Sequence, residues 1–281
     1  MKKSLITLPI YLLSNLSNFN LNRDPWNIVR NIFGTNTNTN TNTKNHEIIK
    51  CNSSYLNCKN EEDIIKIFYP KGSYSPSKQI IGGIGFFASP KNIFMANEVV
   101  FKYQVYFDDT FQPVLGGKLP GLFIGKGTNK KHMVGASGGK HLDTSSCRIA
   151  WRNNLTAEAY IYIPDNQHPN FYNISNLILN PQYGHSLWRG LFQFYKYRWN
   201  NVSIRLKTNT FTNSIPNYDG ELEITINNVT QSFNKLLWRT EQEYNINAII
   251  LETFFGGSQP NTATLNDTWS YFKNIQLQKL N

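Results

Sequence analysis

The sequence predicts an all-β protein built from two antiparallel sheets. Three observations predict it. First, short segments rich in β-branched and aromatic residues recur from about residue 61 onward, and two of them alternate strictly. Val202, Ile204 and Leu206 oppose Ser203, Arg205 and Lys207; Leu222, Ile224 and Ile226 oppose Glu221, Glu223 and Thr225. That is the two-residue period of a strand with one buried face. Second, Asn/Gly/Pro turns such as NYDG at 217–220 separate the segments. Third, no long stretch carries a helical period. Many short strands in one chain argue for a β-jelly-roll sandwich.

Composition bounds the rest. The chain has 281 residues and a formal net charge of +10, yet only 16% are charged. Asn supplies 38 residues, so polarity comes from amides more than from charge. Three Cys exclude a disulfide-dense scaffold and a Cys-rich zinc module. No apolar run is long enough to span a membrane. A basic chain invites a polyanion, but Lys and Arg form no blocks and no nucleic-acid motif is present. An anionic membrane and an acidic polysaccharide remain open beside the less favoured nucleic acid.

In chain order, residues 1–60 read as an N-terminal extension. Lys2 and Lys3 precede the apolar stretch Leu5 to Leu13, a signal-like pattern interrupted by Pro9. Seven Asn-x-Ser/Thr sequons (Asn15, Asn52, Asn154, Asn173, Asn201, Asn228, Asn266) fit a secreted, extracellular chain. TNTNTNTNT at 35–43 reads as a disordered linker. Cys51 and Cys58 either pair in an oxidising compartment or remain two thiols. The ordered domain is expected over 61–281, opening on IIKIFYP (64–70) and continuing through FKYQVYF (101–107).

GGKLPG (116–121) is a rigid segment that presents Lys118. SSCRIAWR (145–152) reads as a strand with Ser146, Arg148, Ala150 and Arg152 on one face and Cys147, Ile149 and Trp151 on the other. In the next strand Tyr160 and Tyr162 share a face opposite Ala159, Ile161 and Ile163. A hairpin between the two puts Ser146, Arg148, Tyr160 and Tyr162 on one concave face. From Lys118 to Arg152 seven basic residues meet one acid, so +6 of the net +10 falls in that stretch. The remaining strands are expected at 201–208, 220–228, 247–255 and 271–278.

GGKLPG, followed by S-x-R-x-x-W-R and Y-x-Y, resembles the family 14 polysaccharide lyases, which cleave alginate or glucuronate polymers. Glucuronan lyases share the GGKLPG-type segment. WNNVSIRLKTNT (199–210), FFGGSQP (254–260) and DTWSYFKN (267–274) extend the resemblance, so it covers about residues 64–281. It implies an active site of Lys118, Ser146, Arg148, Tyr160 and Tyr162, and with it an acidic polysaccharide as partner, no nucleic acid, no membrane, no cofactor and a monomeric chain. The segment TNKKHMVGASGGK (128–140) resembles an insertion that would rim the cleft.

A uronate lyase removes the proton α to a carboxylate and expels the 4-linked sugar. The carboxylate resists further negative charge, so a cation must neutralise it; Arg148 is suited to a bidentate grip. A base and an acid complete the reaction. Tyr162 is the expected base or acid, with Lys118 and Arg148 expected to favour its phenolate. Tyr160 binds the sugar or shares the proton transfer. Arg152 and Lys140 are expected to bind neighbouring uronates, with His168 a reserve base. His132 and His141 sit in the inserted segment. No His spacing suits a metal. Two alternatives come from other classes. One is a lectin-like module. The other is a glycoside hydrolase, which needs two placed carboxylates where the candidate face is expected to carry none.

Overall fold

The computed structural model describes residues 5–15, 25–35, 44–51, 53–91, 93, 95–127 and 144–280. Lys140, His132, His141 and most of the Asn/Thr repeat lie outside them. In chain order the described strands begin with β1 (Leu5–Thr7), β2 (Ile28–Phe33), β3 (His46–Lys50), β4 (Asp63–Tyr69), β5 (Ile84–Ala88) and β6 (Glu98–Phe107). Next come β7 (Gly116–Gly125), β8 (Ser145–Arg152), β9 (Thr156–Tyr162), β10 (His185–Gln193) and β11 (Trp199–Lys207). The last are β12 (Phe211–Thr212), β13 (Ile215–Pro216), β14 (Gly220–Ile226), β15 (Val229–Leu236), β16 (Asn245–Phe255) and β17 (Thr268–Lys279).

They form two antiparallel sheets and a small β12–β13 ribbon. One sheet runs β15-β14-β11-β6-β17-β4-β3, with β1 paired to β17; the other runs β10-β9-β8-β7-β16-β5-β2. The predicted sandwich is therefore the observed one. Alternation sets the layers. Val202, Ile204 and Leu206 of β11, Leu222, Ile224 and Ile226 of β14, and Cys147, Ile149 and Trp151 of β8 all enter the main core. Full burial of each such aliphatic side chain is worth about 1.5–3 kcal/mol.

The expected N-terminal extension is not separate from the sandwich. β2 pairs with β5, β3 with β4 and β1 with β17, and Leu8, Leu13, Trp26 and Ile28 are buried in the main core. Asn-rich composition hides this because edge pairing runs through backbone N–H and C=O groups, and a few apolar side chains suffice to seat each strand. Cys51 and Cys58 form a disulfide, with Cα atoms 6.1 Å apart. It clips the short helix α1 (Ser53–Leu56) onto an aromatic cluster of Tyr106, Trp199 and Tyr271 on the outer face of the larger sheet.

Pro120 sits inside β7, where a proline cannot donate to a neighbouring strand. The chain accommodates it as a bulge: Leu119 opposes Ile149 and Gly121 opposes Arg148, leaving Pro120 unpaired. At Gly121 the two strands approach so closely that a Cβ would lie 1.9 Å from the Cys147 carbonyl oxygen.

Candidate active site

The site lies on the face of the β10-to-β2 sheet turned away from the main core. Period two decides its members. On β8, Cys147, Ile149 and Trp151 enter the core, so Ser146, Arg148 and Ala150 face outward. On β9, Ala157, Ala159 and Ile161 enter the core, so Glu158, Tyr160 and Tyr162 face outward. The hairpin register sets Ser146 opposite Tyr162, Arg148 opposite Tyr160, and Ala150 opposite Glu158. Lys118 of β7 is opposite Ala150. A small outer cluster of Phe87, Phe123, Ala248 and Ile250 adjoins this face.

The structure brings the expected residues together. The Lys118 ammonium lies 3.6 Å from the centroid of the Tyr160 ring. Tyr160 and Tyr162 meet edge to face, with centroids 5.7 Å apart. The Arg148 guanidinium is 5.9 Å from the Tyr162 ring. Lys118 and Tyr160 keep part of their side chains at the surface, whereas Ser146, Arg148 and Tyr162 are buried.

Two carboxylates occupy the same face, which corrects the expectation that it carries no acid. Glu252 of β16 accepts from Arg148 Nη1 at 2.5 Å, and both side chains are buried. Glu158 accepts from Arg152 and, at 2.8 Å, from Ser186 Oγ. The basic excess of the stretch is thus partly balanced by two acids from outside it. Glu158 is two residues from Tyr160, so strand period alone places it. Glu252 is 104 residues from Arg148 and no spacing signals it.

Burial resets the proton affinities. Lys118 is held well below the usual lysine value, first by desolvation and then by the charges of Arg152 and Arg148. Tyr162 is pushed above the usual tyrosine value, mainly by burial and by its contacts with Tyr160, against a smaller opposing pull from Arg148. This corrects the expected phenolate: desolvation outweighs the cation. Burial also raises Glu252, with Arg148 opposing.

Arg148 differs from expectation too. One of its nitrogens is committed to Glu252, while Nε and Nη2 are buried without a hydrogen-bond partner. His168 is not part of the cluster. It caps the turn at Pro169–Asn173, its Nδ1 accepts from the Asn170 amide at 3.1 Å, and its ring meets Tyr218.

Residues 57–275 match the family model described as Polysaccharide lyase 14. The chain belongs to polysaccharide lyase family 14. This family 14 chain is 32% identical to an alginate lyase of Aplysia kurodai, with a TM-score of 0.71 over 83% of this chain and 86% of that one. An alginate lyase from Chlorella virus shares the fold, with a TM-score of 0.74 and 24% identity over 98% of both chains. The chain is also 24% identical over 200 residues to Exolysin of Paramecium bursaria Chlorella virus 1. That match takes in 66% of this chain but only 30% of Exolysin.

Proposed function

We propose that the chain is a polysaccharide lyase that cleaves an alginate- or glucuronan-type polymer by β-elimination and leaves an unsaturated uronate end. The observation that carries this is the Lys118–Tyr160–Tyr162 contact. It sets an amine that loses its proton easily against a pair of phenols, of which the buried one, Tyr162, holds its proton tightly. Environments that push two titratable groups apart assign the base and the acid.

Neutral Lys118 takes the C5 proton. The electron pair forms the C4–C5 double bond and the C4–O bond breaks. The departing oxygen takes a proton from Tyr160, which reaches the surface. Tyr162, hydrogen-bonded to Tyr160, replaces that proton. The Tyr162 oxyanion then lies near the Arg148 charge and the backbone of Gly184. Transfer from the Lys118 ammonium back to the tyrosine pair restores the starting state. Arg148 supplies the positive charge that the enolate-like transition state needs. It acts through its charge from beneath the surface, since its side chain is buried. Ser146, opposite Tyr162, supports the same row.

The hydrolase reading loses support because both carboxylates of the face are held in buried contacts with arginine. The alginate lyase of Aplysia kurodai supports alginate as the first substrate to test. An extracellular site of action belongs to the same proposal, and the Cys51–Cys58 disulfide supports it. The test is ultraviolet absorbance of new unsaturated ends on purified alginate and glucuronan. The expected result is a steady rise on at least one. Folded protein that binds either polymer without any rise would overturn the proposal.

A further inference from the structure

Beside the reacting cluster a buried carboxylate organises two arginines. Glu158 is fully buried. One of its oxygens accepts from Arg152 and Ser186, and the other lies 3.4 Å from Arg189 Nε. Arg152 and Arg189 are 20% and 39% exposed, so both guanidinium groups reach the surface from one anchor. Two positive charges against one negative leave the trio net positive. Arg152 Nε is buried without a hydrogen-bond partner.

Arg189 reaches this place through an irregularity in β10. Leu187 opposes Ala159 and Phe192 opposes Ala157, so four residues on β10 span the single position of Glu158. Trp188 and Gly190 on either side of Arg189 adopt φ of 57° and 79°. The Arg189 amide donates to the Asn176 carbonyl at 3.1 Å, and the Asn176 side chain returns a bond to the Arg189 carbonyl at 2.9 Å. A bulge held on both sides re-aims a side chain, here towards Glu158. The trio adjoins the chemistry: the Arg152 guanidinium is 6.0 Å from the Tyr160 ring.

We infer that Arg152 and Arg189, anchored on Glu158, form a second carboxylate subsite that grips the uronate next to the one being cleaved. The inference rests on the lyase reading for its substrate class and adds Arg189 as a specificity residue. Guanidinium groups held by a buried anion are already ordered, so they grip a planar carboxylate with little further loss of freedom.

The test compares wild type with Arg189→Gln on alginate and on alginate whose carboxyls are partly converted to amides. The expected result is a KM about tenfold higher for the variant on alginate, with kcat within about twofold, as for loss of one charged hydrogen bond. Amidation should raise KM by a larger factor for wild type than for the variant, which keeps only Arg152. Arg189→Lys should recover part of the loss. A variant with wild-type KM, or one that loses kcat at constant KM, overturns the subsite. If wild type cleaves neither alginate nor glucuronan, the lyase reading fails by itself. The subsite is then judged by affinity for alginate at low salt: about tenfold weaker binding by the variant supports it, and equal binding overturns it.

Discussion

Glu252 Oε2 lies 2.5 Å from Arg148 Nη1, and neither side chain reaches solvent. Strand β7 runs between the two strands that carry them. The pair therefore crosses the sheet's outer face and locks the guanidinium beside Tyr162. A buried ion pair is costly to assemble, but removing one partner is costlier because the other charge is stranded.

Glu252→Gln should therefore destabilise the fold by about 3–5 kcal/mol, the usual cost of stranding a buried charge. Urea denaturation measures it as a lowered midpoint at unchanged slope. A midpoint equal to wild type would show that Arg148 finds another partner.

Lys118→Met should abolish turnover yet raise stability. The folded pKa of Lys118 lies well below its unfolded value. Between the two values the unfolded chain binds more protons, so wild-type stability rises with pH there. The penalty is full below the folded pKa and vanishes near the ordinary lysine value. The advantage of the variant should grow as pH falls through that window, read by denaturation at several pH values. A pH-independent difference would contradict a desolvated amine at Lys118.

The acid limb of kcat/KM should follow Lys118, since the base must be neutral: activity rises with pH through its lowered pKa. Arg152 is the largest charge lowering it after burial itself. Arg152→Gln should therefore move the acid limb to higher pH. A limb that stays in place would assign the base elsewhere.

Tyr162→Phe and Tyr160→Phe should each lower kcat by about 10²–10⁴-fold, the usual worth of a positioned proton donor. A Tyr162→Phe protein with near wild-type turnover would remove Tyr162 from the relay.

Replacing both Cys51 and Cys58 by Ser should cost about 2 kcal/mol, as expected for opening a short disulfide loop. Activity at low temperature should hold, because the clipped segment packs on the outer face of the other sheet. A large loss of activity in the folded double variant would couple that face to the site.

Much of this was legible beforehand. Alternation at 201–208 and 220–228 reports directly which side of each strand is buried, and β11 and β14 follow it. Spacing of two within SSCRIAWR and AYIY set Ser146, Arg148, Tyr160 and Tyr162 on one face, because successive strand residues point to opposite sides. The same rule extends to Glu158, two residues before Tyr160. Edge strands β2 and β3 were hidden in an Asn-rich tract because composition registers side chains, while edge pairing is a backbone event.

By itself the sequence determined the two-sheet sandwich and the identity of its cationic, aromatic face, since both follow from a local two-residue period. Only the tertiary structure decided how that face is charged. Glu252 joins Arg148 through a register across β7 and β16, and Arg189 joins Glu158 through a bulge. Burial, which no spacing encodes, raised Tyr162 and lowered Lys118. Proton affinity depends on how much water and how many charges surround a group, and those are set by chain segments far apart in sequence.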